Sequence, residues 1–478
     1  MHSAHTHTFI LHATLHLCML IPNDSTTHRC THVSHLSATC WGAWLSCVYV
    51  FVCEGKEGRG IWREVTEGES QRHKSLHVRF PSAHSVLRSR HVMRAYARLF
   101  LCWLCACLCA WRGVACVSQP FRVYWNVPSY FCGKFDVHIN VSQFGIVQNA
   151  GDVFRGEKVT ILYSPGTFPY LDEEGRAVWG GIPQNGSLPT HVQHFINTLN
   201  SVVPLDFKGA AVLDFEKYYP SYTASAYQYR EASRAWVKER HPDWSPEKVE
   251  THALESFNAS ARDFFQSLLW VARELRPGGL WGYYHYPYCN DYQPLATTCM
   301  PMIKKMNKEL SWMFRSSAAL YPSMYVRYWS GFSPRARHQH ARLNLLEGLE
   351  ARRRDNPTAP VLPYFWYRYH DTPRLLSPVD IVNTLGLTRV LGGQGAVVWG
   401  GIADLATKQQ CLDFKAYAEG KLGPLVRYLA HLPRAKLRRL LASRARLKRG
   451  VRTALREVKT RAVDGAGRCS NRVLGECT

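Results

Sequence analysis

The chain has far fewer acidic than basic residues, but the shortage is uneven along its length. Of 478 residues, 36 are Asp or Glu and 59 are Lys or Arg, which gives a net charge of +23. Residues 119–430 hold 33 basic and 27 acidic residues, whereas residues 431–478 hold 14 and 3. The central part is therefore only mildly basic. Because the excess lies mostly at the ends, the total charge does not indicate a nucleic-acid partner.

Cysteine is also scarce in the central part. Of 16 cysteines, ten precede residue 119, two lie in the C-terminal tail, and the central four are Cys132, Cys289, Cys299 and Cys411. These four form no Cys-x-x-Cys pair and have no His cluster beside them, so we expect neither a bound metal nor a cofactor. A small, even number of cysteines in an exported chain predicts a small set of disulfides.

The N-terminal region lacks the periodicity of a folded domain. Residues 1–92 are rich in His, Ser, Thr and Cys without a sustained helix or strand pattern, although a secreted Cys-rich module is an alternative. Residues 93–118 have a basic run, an apolar run and then small residues, which is the order of a secretory signal. The apolar run is short for a membrane span.

A secretory signal should begin a protein, so we expect Met93 to be the native start and residues 1–92 to be upstream sequence. An internal signal-anchor is the alternative. The expected location is extracellular or lysosomal. Three Asn-x-Ser sequons, which are usable only in an exported protein, predict glycosylation at Asn140, Asn185 and Asn258.

Residues 119–430 alternate between strand-like and helical segments. The helical segments include residues 226–239 and 246–275. Alternation of this kind predicts an α/β fold with a parallel sheet, and the number of repeats favours a closed β/α barrel. The strand-like runs are residues 121–127, 159–163, 210–214, 280–284, 323–326, 361–367 and 395–400.

Two carboxylates follow the apolar run that begins at Gly209. Strand side chains alternate between faces, so Asp214 and Glu216 should point the same way. Their repulsion and partial burial should keep a proton on one of them near neutral pH, which a general acid requires. An isolated Asp-x-Glu is often a solvated turn, so this interpretation depends on the neighbouring residues.

Aromatic and polar residues end most of the predicted strands. In a β/α barrel these ends converge on one site. A groove lined by rings and carboxylates suits a carbohydrate, because sugar CH faces pack on rings while hydroxyls bond polar groups. The residues concerned are Trp125, Asn126, Tyr163, Tyr284, Tyr325, Trp366, Tyr367 and Trp399.

The order of motifs over residues 119–430 resembles the animal hyaluronidase family. The matching segments are Val123-Tyr124-Trp125-Asn126-Val127-Pro128-Ser129, Ile161-Leu162-Tyr163, Asp214-Phe215-Glu216, Trp281-Gly282-Tyr283-Tyr284, Pro287-Tyr288-Cys289, Tyr321-Pro322-Ser323-Met324-Tyr325, Leu362-Pro363-Tyr364, and Val398-Trp399-Gly400 with Thr407-Lys408 before Cys411. The resemblance implies a distorted TIM-like β/α barrel as a single catalytic domain. It also implies disulfides Cys132–Cys411 and Cys289–Cys299.

The resemblance further implies an endo-acting hydrolase that cleaves hyaluronan, or chondroitin, by a retaining, substrate-assisted route. Glu216 would be the proton donor, and Asp214 and Tyr284 would hold the acetamido group of N-acetylglucosamine. Tyr325 and Trp399 would shape that pocket. Further expected substrate contacts are Tyr163, Tyr219 and Arg342.

The chain departs from the family pattern beside the catalytic pair. Where many members carry Trp and then Arg, this chain has Tyr218 and Tyr219, after Lys217. Gly401 and Ile402 replace polar residues that some members have after the Trp399-Gly400 pair. The acetamido pocket is retained, so we expect the chemistry to be preserved and the outer contacts to differ.

The C-terminal tail, residues 431–478, alternates basic residues with leucine and valine. This pattern predicts a basic amphipathic helix over residues 434–461. It could bind a polyanion or a membrane surface, or it could be a solvated extension outside the catalytic domain, which we slightly favour. Two cysteines are too few for the Cys-rich module that many family members carry there.

Two other functions compete with the hydrolase. A glycosaminoglycan-binding protein that has lost turnover would not need the acid Glu216, and a nucleic-acid binder would need its charge on the central part. The expected partner is therefore a hyaluronan or chondroitin chain, and the expected state is a monomer.

Overall fold

The computed structural model describes residues 120–289, 296–329 and 331–464. The upstream segment and the secretory signal lie outside these residues, as do Cys469 and Cys477. Among the helices that the structure describes, none combines the length and apolar character needed to cross a bilayer.

Eight parallel strands form a closed barrel, which confirms the predicted fold. One sheet has the order β2-β1-β10-β9 and another has the order β3-β6-β7-β8. Bridges Leu320–Val361 and Ser323–Tyr364 join β8 to β9. A separate antiparallel hairpin, β4-β5, follows β3. The strands are β1 (Arg122–Asn126), β2 (Ile146–Val147), β3 (Val159–Tyr163), β4 (Tyr170–Leu171), β5 (Ala177–Val178), β6 (Ala210–Asp214), β7 (Leu280–His285), β8 (Tyr321–Pro322), β9 (Tyr364–Trp366) and β10 (Gly395–Trp399).

A single buried side chain closes the barrel between β2 and β3. The Asn149 amide nitrogen donates to the carbonyls of Val153 (2.8 Å) and Val159 (2.9 Å). Its oxygen accepts from the backbone nitrogens of Lys158 (3.0 Å) and Val159 (2.9 Å). The amide therefore supplies hydrogen bonds that a neighbouring strand would otherwise make.

Helices surround the barrel, and their starts are encoded locally. Ser245, Ser333 and Ser377 cap helices whose next residue is proline, and each hydroxyl accepts from a first-turn N–H. The helices are α1 (Leu188–Val202), α2 (Tyr227–Arg240), α3 (Pro246–Leu275), α4 (Pro301–Glu309), α5 (Ser311–Ser316), α6 (Pro334–Asp355), α7 (Pro378–Ile381), α8 (Leu387–Leu391), α9 (Lys408–Tyr417), α10 (Gly423–His431), α11 (Arg434–Leu441) and α12 (Arg444–Asp464).

Alternate residues of each strand face different cores. Ile161 and Val212 pack inside the barrel, whereas Leu162 and Leu213 pack outward with the helices. This alternation places Asp214 on the inward face, since it is two residues after Val212. Disulfides Cys132–Cys411 and Cys289–Cys299 are both present, as the resemblance implied.

Two structural predictions need correction. The strand expected at residues 323–326 lies at Tyr321–Pro322, and only Ser323 continues its pairing, as a bridge to Tyr364. The tail forms two helices, α11 and α12, and their apolar residues pack on the barrel layer instead of forming a solvated extension. The leucines of these helices are buried against a hydrophobic surface of the barrel layer, which the sequence alone did not indicate.

Candidate active site

A groove lies at the carboxyl ends of the strands. It encloses a cavity of about 480 Å³, in the position where β/α barrels carry their active sites. The lining side chains come from β3, β6, β7, β9 and β10 and from the loops that follow the strands. They are Ile161, Tyr163, Ser164, Asp214, Glu216, Lys217, Tyr284, His285, Ser323, Tyr325, Tyr364, Trp366, His370 and Trp399.

The predicted carboxylate pair lies in this groove, in two different environments. Asp214 ends β6 and is buried, whereas Glu216 follows the strand and is exposed to the groove. Burial, then the charge of Glu216 and a hydrogen bond to it, raise the pKa of Asp214 to about 8. Burial also raises the pKa of Glu216. Near neutral pH the two hydrogen-bonded carboxyls therefore share one proton.

Tyrosine hydroxyls lie beside the pair. The Tyr284 hydroxyl donates to Ser323 Oγ at 3.3 Å and also shares a hydrogen bond with Tyr325. Burial, followed by the charge of Glu216, raises the pKa of Tyr284, so its hydroxyl remains a donor. Burial likewise raises the pKa of Tyr325. Neutral donors next to a carboxylate are suited to holding a polar group such as an amide.

An aromatic wall faces these groups. Trp399 stacks on Tyr325, with ring centroids 5.9 Å apart, and meets Trp366 edge-on at 4.8 Å. The Trp399 indole nitrogen donates to the Tyr163 hydroxyl at 2.8 Å. These contacts fix the plane of Trp399, which can then pack against the apolar face of a sugar.

Asp404 supports this wall and was missed in the sequence. One of its carboxylate oxygens accepts from the Trp366 indole nitrogen at 3.2 Å and the Tyr367 hydroxyl at 2.9 Å. The other pairs with Arg368 at 3.1 Å, and that guanidinium lies over the Trp366 ring. Asp404 lies in the turn Ile402–Leu405 after β10, so no motif near β9 indicated it.

Lys217 and His370 also line the groove, and neither was predicted to bind substrate. Lys217 is exposed immediately after Glu216, and its ammonium lies 5.6 Å from the Tyr170 ring. Burial, followed by the charge of Arg327, lowers the pKa of His370. Burial lowers the pKa of His285 to about 4. Both imidazoles are therefore neutral, whereas Lys217 offers a positive charge.

Two predicted substrate contacts lie away from this cavity. Tyr219 packs against Tyr288, with ring centroids 5.5 Å apart, and both line a neighbouring cavity that includes Asn258. Arg342 lies on α6, near His338, and is not among the residues that line the groove. Their roles in binding substrate remain predictions.

The predicted glycosylation sites differ in accessibility. Asn140 and Asn185 are exposed outside the α-helices. Asn258 lies within α3 and is half-buried. Its side-chain amide oxygen accepts a hydrogen bond from the Tyr222 backbone nitrogen at 2.7 Å. Modification at all three positions remains a prediction.

The chain matches known proteins over the barrel. The family model described as hyaluronidase matches residues 112–436. A hyaluronidase of Apis mellifera is 38% identical over 326 residues, which cover 65% of this chain and 85% of that protein. Hyaluronidase-1 of Homo sapiens is 34% identical over 330 residues, covering 66% of this chain and 75% of that protein.

Solved structures show the same relationship. Bee venom hyaluronidase superposes with a TM-score of 0.60 at 36% identity, covering 64% of this chain and 99% of that chain. A second structure of bee venom hyaluronidase, in complex with a hyaluronic acid tetramer, has a TM-score of 0.62 at 36% identity and covers 65% and 99%. Sequence, fold and site geometry together show that this chain belongs to the hyaluronidase family of glycoside hydrolases.

Proposed function

We propose that this protein is a secreted, endo-acting hydrolase of the β-1,4 linkages of hyaluronan, with unsulfated chondroitin as a second substrate. The observation that carries the proposal is the Asp214–Glu216 pair, which retains one proton near neutral pH beside Tyr284 and below an aromatic wall. A binding protein without turnover would need the wall but not the protonated pair.

The groove suits an acidic polysaccharide that contains N-acetyl groups. Bee venom hyaluronidase has been solved with a hyaluronic acid tetramer. In this chain, the exposed ammonium of Lys217 would meet a uronate carboxylate next to the reacting sugar. Trp399 would pack against a sugar face, and the Tyr284 hydroxyl would turn from Ser323 Oγ to donate to the acetamido group.

In the first step, the acetamido oxygen of the substrate attacks the anomeric carbon while the glycosidic bond breaks. Glu216 gives its proton to the leaving oxygen, and the acetamido group becomes a cyclic oxazolinium. Asp214 accepts the acetamido N–H and stabilises the positive charge that develops there. This substrate-assisted route needs no enzymic nucleophile.

In the second step, water attacks the anomeric carbon while the bond from that carbon to the acetamido oxygen breaks. The water gives a proton to Glu216, which regenerates the acid. Two inversions at one carbon retain the β configuration. The proton that the two carboxyls share passes to Glu216 as the substrate amide becomes the hydrogen-bond donor to Asp214. The hydrogen bond between the two carboxyls provides the path for this transfer.

The deciding experiment compares the wild-type chain with Glu216→Gln on hyaluronan and unsulfated chondroitin. The substitution keeps the side-chain shape but removes the transferable proton, so activity should fall by ~10²–10⁴-fold while substrate binding survives. Glu174→Gln, on the exposed β4-β5 turn, is the matched control and should retain full activity.

Product stereochemistry gives an independent measurement. The first-formed reducing end should be the β anomer in a proton NMR time course recorded before mutarotation. An α product would contradict the substrate-assisted route, and full activity of Glu216→Gln would contradict the assignment of the acid.

Secretion is part of the same proposal. The basic and apolar order of residues 93–118 supports export. The two disulfides also agree with an oxidising compartment.

A further inference from the structure

The apolar face of the tail helices is already occupied. Leu437 and Leu440 of α11 and Leu447, Val451 and Ala454 of α12 are buried. They belong to the cluster that also contains residues of β1, β9 and β10. The tail therefore adds a layer to the barrel, and its hydrophobic residues are unavailable to another partner.

The opposite face of these helices is a dense basic surface. No Asp or Glu occurs between Glu419 and Glu457. Among the described side chains that precede Arg456, the last ion pair along the sequence is Lys415–Glu419. Apart from Arg456, the exposed cations of the two helices thus form no ion pair with a described carboxylate side chain. The exposed cations of α11 and α12 are Arg434, Lys436, Arg438, Arg439, Arg446, Lys448, Arg449, Arg452 and Arg456.

Three of the exposed cations form a row along α12. Arg446, Arg449 and Arg452 recur every three residues, so they lie on one side of α12 over about 9 Å. Gly450 lets α11 approach closely, since a Cβ there would lie 2.3 Å from Leu440 Cδ1. The two helices therefore pack directly against each other, and each carries exposed cations on its solvent side.

We propose that this surface, formed by the exposed cations of α11 and α12, is a second binding site for a linear acidic polysaccharide, outside the catalytic groove. The choice of an acidic polysaccharide as the ligand rests on the proposed function, in which such a chain is the substrate. Guanidinium groups bind carboxylate and sulfate oxygens in pairs, and a row of them fits a chain with regularly spaced anions. A polymer held here would raise the local concentration of substrate near the groove.

Two other classes of partner fit less well. An amphipathic helix binds a membrane by inserting its apolar face, and here that face is buried on the barrel. Single-stranded nucleic acid is held by aromatic stacking, and residues 434–456 contain no aromatic side chain. The tail helices present a row of cations without aromatic rings or exposed leucines, and this arrangement favours an acidic polysaccharide as the partner.

The test uses the full chain with Lys448, Arg446, Arg449 and Arg452 all changed to Gln, which keeps helix propensity. The matched control changes four exposed cations elsewhere, Lys208, Lys308, Arg335 and Arg353, to Gln, so both variants have the same net charge. Binding is measured on immobilised heparin over a salt gradient, and thermal unfolding checks that both variants are folded.

The tail variant should bind heparin about tenfold more weakly than the control variant, because four ion pairs are lost together. On long hyaluronan its KM should rise while kcat is unchanged. Equal heparin elution of the two variants would overturn the proposal. Loss of binding only to duplex DNA, or only to phosphatidylserine vesicles, would also overturn it. Heparin retention needs no turnover, so failure of the proposed hydrolysis would leave this result interpretable.

Discussion

Asp214 and Glu216 are similar carboxylic acids in different surroundings. Asp214 is buried inside the barrel, whereas Glu216 opens onto the groove. Because removal from water penalises the charged form, the buried member has a pKa of about 8. In the proposed mechanism, Glu216, the member at the groove, delivers the proton that the pair shares to the substrate.

This arrangement predicts a change in pH dependence for Asp214→Asn. The wild-type pair loses its last proton near pH 8, against the charge of a second carboxylate. In the variant, Glu216 loses its proton without that repulsion, so the alkaline limb of residual kcat/KM should move down by at least about one pH unit. A pH–rate profile from pH 3 to 9 measures it.

Residual activity of Asp214→Asn should also be low, since a neutral amide cannot stabilise the oxazolinium charge. The double variant with Glu216→Gln should be far from additive, because both residues serve one transition state in the proposed mechanism. An unchanged alkaline limb would show that the two carboxyls titrate independently.

Among the secondary-structure elements, β2 is short and cannot close the barrel by backbone pairing alone. It pairs with β1 through Ile146 and Val147, and then Asn149 bonds the start of β3. Gly156 makes room for this amide, since a Cβ there would lie 2.7 Å from Asn149 Cγ. Asn149 thus supplies the buried hydrogen bonds of the seam between β2 and β3, whereas the bond from Lys158 Nζ to the Gln148 carbonyl at 3.3 Å is exposed.

Asn149→Ala should destabilise the fold by about 2–4 kcal/mol, because several buried backbone groups lose their partner. Denaturant unfolding of the purified variant measures the free energy. Asn197→Ala, at an exposed position on α1, is the control and should change stability by less than about 0.5 kcal/mol. Equal stability of the two variants would mean that water replaces the amide at the seam.

At the scale of the whole molecule, the disulfide Cys132–Cys411 joins the segment that follows β1 to α9, the helix that follows β10. The bond closes a loop with a sequence separation of 279, whereas Cys289–Cys299 closes one of 10. A longer closed loop restricts the unfolded chain more strongly.

Replacing both Cys132 and Cys411 with alanine should cost about 2–5 kcal/mol and exceed the cost of replacing Cys289 and Cys299. Thermal unfolding of the two double variants under identical conditions makes the comparison. A larger loss from the short loop would indicate that local packing around Leu343 outweighs loop entropy.

The sequence by itself determined the barrel and its main chemistry. The strands Val159–Tyr163 and Ala210–Asp214 and the helix Pro246–Leu275 coincide with their predicted bounds. Apolar runs, proline after serine, and helical periodicity are local signals, so these elements could be read from neighbouring residues. The carboxylate pair was likewise predicted from neighbouring residues, since Asp214 and Glu216 are two positions apart at the end of a strand.

Tertiary structure alone decided features that depend on distant partners. It buried Asp214 more than Glu216, recruited Asp404 to support Trp366, and set Asn149 in the seam beside β3. It also buried the apolar face of the tail helices, so only their basic face is exposed to solvent. The amphipathic pattern of the sequence had left the role of the tail open. Burial and register arise from residues far apart in the chain, and for this reason no local pattern could indicate them.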